Sequence, residues 1–191
     1  MKNSTLCGID EAGRGPLAGD LVMAGCILHP KGTSHVSVEG LNDSKKLTPK
    51  KREELYEKII ENSTYHIVKF SALQIDEMGI SKCLKAGLEE IMQNIKASNY
   101  LFDGNTNFGV KGLETLIKAD ETIPEVSAAS ILAKVVHDRD MMELDRLYPE
   151  YKFASHKGYG TAYHVEMIKQ HGYSDVHRRT YKIKALEATL F

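Results

Sequence analysis

The chain has 191 residues, enough for one domain of ordinary size or a domain with a small appendage. Hydrophobic residues make up 42% and charged residues 27%, a balance that buries a real core and excludes disorder for most of the chain. The formal net charge of −1 excludes a protein that grips polyanions by overall basicity, so any such site must come from local clustering.

Leu6–Asp10 is short and apolar and runs into Gly13 and Gly15, the pattern of a buried strand ending in a turn. Leu21–Leu28 reads as a second strand, forming a hairpin with the first across the segment GRGPLAG. Thr48 followed by Pro49 marks a helix start, with Leu55, Ile59 and Ile60 as its apolar stripe. Tyr65–Phe70 is β-prone and supplies a third strand. Ser81–Lys96 is the cleanest helix, because Leu84, Leu88, Ile91, Met92 and Ile95 recur at helical spacing on one face. Tyr100–Phe102 forms a short strand leading into Asp103, and another strand near Leu113–Lys118 ends at Asp120. Pro124 then opens a long helix reaching about Leu147, and a last helix follows Thr161.

Strands that first pair as hairpins and then alternate with helices predict an α/β fold, a mixed five-stranded sheet flanked by helices. No repeat or linker divides the sequence, so residues 1–191 are expected to form a single domain, ending in a helical extension from about residue 150. That extension is basic. Between residues 151 and 191, Lys152, Lys157, Lys169, Arg178, Arg179, Lys182 and Lys184 oppose only Glu166, Asp175 and Glu187, a balance of +4. A second run, Lys45, Lys46, Lys50, Lys51 and Arg52, taken alone reads as a solvated face. Cys7, Cys26 and Cys83 form no CxxC pair and are odd in number, which predicts buried thiols in a reducing compartment and argues against zinc. The N-terminus turns acidic too early for a signal peptide, and residues 17–28 are interrupted by Asp20 and too few to span a bilayer. A cytoplasmic protein is expected.

Three separate places put an aspartate at the end of an apolar strand: Asp10, Asp103 and Asp120. Parallel neighbours in an open α/β sheet deliver such residues to one edge, where sites form. Glu11 adds a fourth acid. Since side chains alternate along a strand, it joins Asp10 only if the strand breaks there, or it contributes its backbone carbonyl. Clustered carboxylates repel unless cations or protons intervene, and an all-oxygen ligand set favours Mg²⁺ or Mn²⁺. Two such ions about 4 Å apart can activate a water and stabilise the leaving oxygen of a phosphodiester. Any one aspartate taken alone is as readily a strand end or helix cap; their joint placement favours a metal site.

The motifs then fall into a known pattern. DEAGRG at 10–15, LNDSKKL at 41–47, FDG at 102–104, KAD at 118–120, SAASILAKVVHDRD at 127–140 and HKGYGT at 156–161 resemble, in order, the signatures of ribonuclease HII, the type 2 ribonuclease H family. The resemblance implies a ribonuclease H-like fold and an endonuclease that cuts the RNA strand of RNA/DNA hybrids. It also implies cutting 5′ of ribonucleotides embedded in duplex DNA, leaving 3′-hydroxyl and 5′-phosphate ends, in DNA replication and repair. Asp10, Glu11, Asp103 and Asp120 would be its catalytic metal ligands, for Mg²⁺ or Mn²⁺. Gly13, Arg14 and Gly15 would sense the ribose 2′-hydroxyl from the backbone, and Tyr159 would stack on the following sugar. Lys45 and Lys46 are candidates for phosphate contacts. Asp138, which matches a recurrent acid of the family but lies well inside a predicted helix, is expected to support the site or to be structural rather than bind metal. Two positions depart from the family pattern: His137 stands where many relatives carry arginine, and Gly160 where others often carry proline.

The nearest alternative is ribonuclease HIII, whose added N-terminal domain has no counterpart in the five residues before the first strand. Neither a GxSxG elbow nor a P-loop GK[ST] ending appears, which disfavours a serine hydrolase or a nucleotide-binding loop. A non-catalytic nucleic-acid binder would have no use for aspartates that repel phosphate. A monomer is expected, and the apolar tail ATLF at 188–191 is a weak candidate for contact with a sliding clamp.

Overall fold

A computed structural model describes residues 5–29, 41 and 47–183. Five strands, β1 (Leu6–Ala12), β2 (Leu21–Leu28), β3 (Ser63–Phe70), β4 (Asn99–Asp103) and β5 (Leu113–Leu116), form one sheet in the order β3-β2-β1-β4-β5. β1 and β2 are the expected antiparallel hairpin, and β3 pairs antiparallel on its far side. β4 and β5 run parallel to β1, so the sheet is mixed.

Helices cover both faces: α1 (Pro49–Glu61), α2 (Ala72–Met78), α3 (Ile80–Asn94) and α4 (Pro124–Leu147). β2 shows why its sequence is apolar throughout. Leu21 and Met23 face a core shared with Leu84, Leu88 and Ile91 of α3, while Val22, Ala24 and Cys26 face Leu55 and Ile59 of α1 and the small residues of α4. A strand buried on both sides has no polar face to alternate with. Two glycines set how closely the helices approach. A Cβ on Gly8 would lie 2.3 Å from the backbone of Glu125 and Val126 at the start of α4, and one on Gly25 would lie 2.3 Å from Ile91 on the opposite face.

α1 starts as expected, with Thr48 accepting from the Lys51 amide and Pro49 in the first turn. α4 spans the expected range, and α6 (Ala162–His171) follows the Thr161 cap. α2 went unforeseen, although Ser71 and Gln74 form a full capping box, a pattern visible as S-x-x-Q. The reading of Leu113–Lys118 as a strand ending at Asp120 is corrected. The strand stops at Leu116, Lys118 takes a left-handed conformation (φ 60°), and Asp120 lies in the 3-10 turn Ala119–Glu121.

Beyond α4, the turn Pro149–Tyr151, α5 (Phe153–His156) and α6 build a third, smaller core from Tyr151, Phe153 and Ile168. It closes on Met141 of α4 and Ala18 of the β1–β2 loop. The three cysteines are buried and free, and burial pushes the Cys7 and Cys26 thiols up to about 12. Among the described residues no helix is long and apolar enough to cross a membrane.

Candidate active site

Parallel pairing of β1 with β4 aligns Ile9 with Phe102, which sets the next residues, Asp10 and Asp103, side by side at the carboxyl ends of two central strands. Asp120 arrives from the 3-10 turn. The Asp103 Oδ1 accepts the Ala119 amide at 3.1 Å, and the Ser127 hydroxyl at the start of α4 donates to the Asp120 carbonyl, so the turn is tied at both ends. One carboxylate oxygen from each of Asp10, Asp103 and Asp120 lies within 4.8 Å of the others.

Asp10 is 6% exposed, and burial raises its pKa well above the usual carboxylate range. The nearby charges of Glu11 and Asp103 push the same way, against hydrogen bonds from Ser130 and the Glu11 amide. Such a cluster is costly as bare anions, and a divalent cation on its oxygens removes the cost. The donor set therefore fits a hard divalent ion.

Glu11 stands beside this trio. β1 continues unbroken through Glu11, paired with Met23, and Ala12, paired with Val22. The Glu11 carboxylate lies 3.6 Å from the Arg14 guanidinium and lines the same pocket as Asp10. Gly13, Arg14, Gly15, Lys134, His137 and Tyr159 also line that pocket. Gly13 needs its glycine: φ is 81°, and a Cβ would lie 2.4 Å from the Asp20 carbonyl and 2.5 Å from the His137 ring. Gly15 faces Tyr159, with its Cβ position 3.4 Å from the ring. Tyr159 is 49% exposed where it lines the pocket. Lys45 and Lys46 lie outside the described residues.

Asp138, on α4 beyond the trio, accepts from Lys134 at 2.5 Å and lies 3.6 Å from Arg52, whose other nitrogen donates to the Leu47 carbonyl. Burial opposes the Asp138 charge, but the nearby His137 ring and the hydrogen bond from Lys134 outweigh it and hold its pKa low. Asp138 thus ties Lys134 in the pocket to the end of the 41–47 motif. His137, at the position that departs from the family pattern, is buried and lies 3.5 Å from Asp138, a contact that does not meet hydrogen-bond geometry.

Two features escape a reading of the sequence. Arg178 stands there only as one member of a basic stretch, yet it is fully buried and donates to the carbonyls of Gly13, Arg14 and Gly19. Burying a guanidinium costs several kcal/mol. Hydrogen bonds from a charged group return about 1.5–3 kcal/mol each, so only a convergence of acceptors makes the position tenable.

The second is a chain of histidines under Tyr159. The Tyr159 carbonyl accepts from His164 Nδ1 at 2.9 Å, leaving His164 Nε2 to accept from His177 Nε2 at 3.0 Å, while His177 Nδ1 accepts the Ser174 amide at 3.0 Å. Every nitrogen is used with both rings neutral, and an added proton would face a donor. Burial lowers the pKa of both, that of His177 to about 4. Above about pH 6.5 both the folded and unfolded chains hold these rings neutral. As pH falls from 6.5 toward 4 the unfolded chain takes up protons and the folded chain does not, so stability declines across that window. The urea midpoint is expected to fall between pH 7 and pH 5, and to fall less in His177→Gln; identical slopes would dismiss the neutral pair.

The family model for Ribonuclease HII matches residues 7–184. The Ribonuclease HII of Sulfurovum sp. (strain NBC37-1) is 54% identical over 194 residues, covering all of both chains. That of Aliarcobacter butzleri (strain RM4018) is 57% identical over 188 residues, covering 97% of this chain and 94% of its own. The chain belongs to the ribonuclease HII family.

Among solved structures, the ribonuclease HII of Archaeoglobus fulgidus, in a complex with PCNA, superposes with a TM-score of 0.79 at 28% identity, covering 94% of this chain and 96% of that one. Ribonuclease H2 of Pyrococcus horikoshii OT3 gives 0.73 at 29%, covering 93% and 94%. Bst-RNase HIII, at 18% identity and covering only 63% of that chain, shares the fold (TM-score 0.70). The expected ribonuclease H-like fold and the family resemblance are borne out. As a ribonuclease HII the chain is a ribonuclease H, an endonucleolytic hydrolase of the RNA in nucleic-acid hybrids that depends on divalent metal. Family membership sets aside the non-catalytic binder and the serine hydrolase.

Proposed function

We propose that this enzyme cuts the RNA strand of RNA/DNA hybrids and cleaves on the 5′ side of ribonucleotides embedded in duplex DNA, leaving 3′-hydroxyl and 5′-phosphate ends. The convergence of Asp10, Asp103 and Asp120 beside the 13–15 loop and Tyr159 carries this reading. Those three carboxylates, with Glu11 at their edge, would hold two divalent ions, Mg²⁺ or Mn²⁺. Such ions supply positive charge for the scissile phosphate and lower the pKa of an attacking water.

The remaining work falls to the chain. Gly13, Arg14 and Gly15 let backbone approach the ribose, and the 2′-hydroxyl is the group that separates RNA from DNA. Tyr159 offers its exposed ring to the next sugar. Lys134 adds positive charge at the pocket wall, and Asp138 accepts a hydrogen bond from its ammonium. We read the helical segment from about residue 150 as the substrate-facing extension of a single domain, with Lys45 and Lys46 as phosphate contacts. A cytoplasmic monomer fits this reading. The 188–191 tail lies outside the described residues; the complex of the Archaeoglobus relative with PCNA makes a clamp contact by that tail worth a pull-down test.

The deciding measurement is cleavage of a DNA duplex containing one ribonucleotide, with Mg²⁺, with Mn²⁺ and with chelator. One metal-dependent cut 5′ of the ribonucleotide is expected, and none with chelator. Cutting confined to long hybrids would remove the loop–Tyr159 sensing while keeping the metal site.

A further inference from the structure

The segment Gly13–Gly19 forms no helix or strand, yet the carbonyls of Gly13, Arg14, Leu17 and Gly19 all accept hydrogen bonds. Arg178 donates from Nη2 to the Gly13 carbonyl at 2.5 Å, from Nη1 to the Arg14 carbonyl at 3.1 Å, and from Nε and Nη2 to the Gly19 carbonyl at 3.0 and 2.8 Å. The Tyr181 hydroxyl adds a second donor to the Arg14 carbonyl at 2.9 Å. No carboxylate pairs with Arg178 among the described residues, so its hydrogen-bonding capacity is spent largely on this loop. Its own backbone is fixed to the same segment, with the Arg178 amide donating to the Leu17 carbonyl at 2.8 Å and the Gly19 amide to the Val176 carbonyl at 2.9 Å. Asp76 of α2 holds the following turn, accepting from the amides of Arg179 at 2.8 Å and Thr180 at 3.0 Å.

A trans peptide unit carries its C=O and N–H in opposite directions, and the described chain has no cis bond. The Gly13 carbonyl shares its peptide unit with the Arg14 amide, and the Arg14 carbonyl shares its unit with the Gly15 amide. Drawing both carbonyls inward onto one buried guanidinium therefore turns both N–H groups outward, onto the side of the loop that lines the pocket with Asp10 and Tyr159. Among the described residues neither amide has an acceptor. Two adjacent donors with no partner form a small concave cradle for an acceptor oxygen.

We propose that Arg178, assisted by Tyr181, is the positioning residue that turns the Arg14 and Gly15 amides toward an acceptor oxygen of the substrate backbone, a ribose 2′-oxygen or a phosphate oxygen. The inference rests on the function proposed above and adds what holds the loop in its sensing form. It also accounts for a full-length arginine in the core, where an apolar residue would satisfy the packing but leave the Gly13 and Gly19 carbonyls without donors.

The test uses the full chain and two variants, Arg178→Lys and Tyr181→Phe. Cleavage of a duplex with one ribonucleotide is measured in Mg²⁺. Binding is measured in chelator for three duplexes: that one, its all-deoxy counterpart, and one with a methylphosphonate beside the ribonucleotide. Arg178→Lys is expected to lose on the order of 30–100-fold in kcat/KM through a misplaced loop. Tyr181→Phe is expected to lose roughly 3–10-fold, the worth of one hydrogen bond, with an unchanged thermal midpoint, and it keeps the test decisive if Arg178→Lys does not fold. If the oxygen is the ribose hydroxyl, the ribo-over-deoxy binding ratio of the wild type falls toward one in the variants. If it is a phosphate oxygen, that ratio holds and the methylphosphonate penalty disappears instead. Folded variants that keep the wild-type kcat/KM, ratio and penalty overturn the inference. A wild type that cleaves no substrate overturns the proposed function, and the inference with it.

Discussion

Replacing Asp10 with asparagine is expected to lower kcat/KM by about 10³-fold or more while the duplex still binds. Transition-state charge stabilisation by a metal site is worth several kcal/mol, and each 1.36 kcal/mol is tenfold in rate. The introduced carboxamide keeps an oxygen to accept the Glu11 amide, so the strand end should survive. The same change has a second, opposite signature. Asp10 is buried beside Glu11 and Asp103, so its charge strains the metal-free fold. Removing that charge should raise the metal-free thermal midpoint, by about 2–6 °C for a chain of this size. Mn²⁺ should then raise the midpoint of the wild type much more than that of the variant. Undiminished cleavage by Asp10→Asn, or an equal response of both proteins to Mn²⁺, would remove Asp10 from the metal site.

Gly8→Ala is expected to be the most damaging single-methyl change in the sheet. The added carbon would meet the carbonyl carbon of Glu125 and the nitrogen of Val126, both at 2.3 Å, and both are backbone. No rotamer change relieves such a clash; α4 itself must move. Overpacking of this kind costs about 1–3 kcal/mol where side chains can yield and more where they cannot, so roughly 3 kcal/mol is a fair expectation. That corresponds to a midpoint lowered by about 6–12 °C. Activity should fall further than stability explains. Ser127, just after the clash, holds the turn that carries Asp120, so a displaced helix carries Asp120 away from Asp10 and Asp103. A variant with the wild-type midpoint would show that α4 is not seated against Gly8 as described. By contrast, an added carbon at Gly172 meets nothing within 4 Å, and only its φ of 82° opposes substitution there.

The sequence was informative wherever structure is decided by near neighbours. The stripe of Leu84, Leu88 and Ile91 foretold α3, and Thr48–Pro49 foretold the start of α1, because helical periodicity and capping involve residues a few positions apart. Asp10 and Asp103 were legible as candidates for the same reason: each ends an apolar run, which is a local feature of the chain. The motif order from DEAGRG to HKGYGT carried the family, since each motif is contiguous in the chain.

Other features depend on distant pairings. Glu11 follows Asp10 directly, yet the pairing of Glu11 with Met23 keeps β1 straight and leaves its carboxylate beside the trio. Asp120 reaches the site through the left-handed turn at Lys118, which a β-prone run from 113 to 118 conceals. Arg178 meets the Arg14 carbonyl across 164 residues of chain, and nothing near either position announces it. Which segments become helix or strand, and which acids stand at strand ends, can be read along the chain, because torsional preference and hydrophobic period act over a few residues. That Asp120 joins Asp10 and Asp103 in one site, and that a buried arginine shapes the loop beside them, comes from the folded whole, because sheet order and the burial of charge depend on the entire fold closing at once.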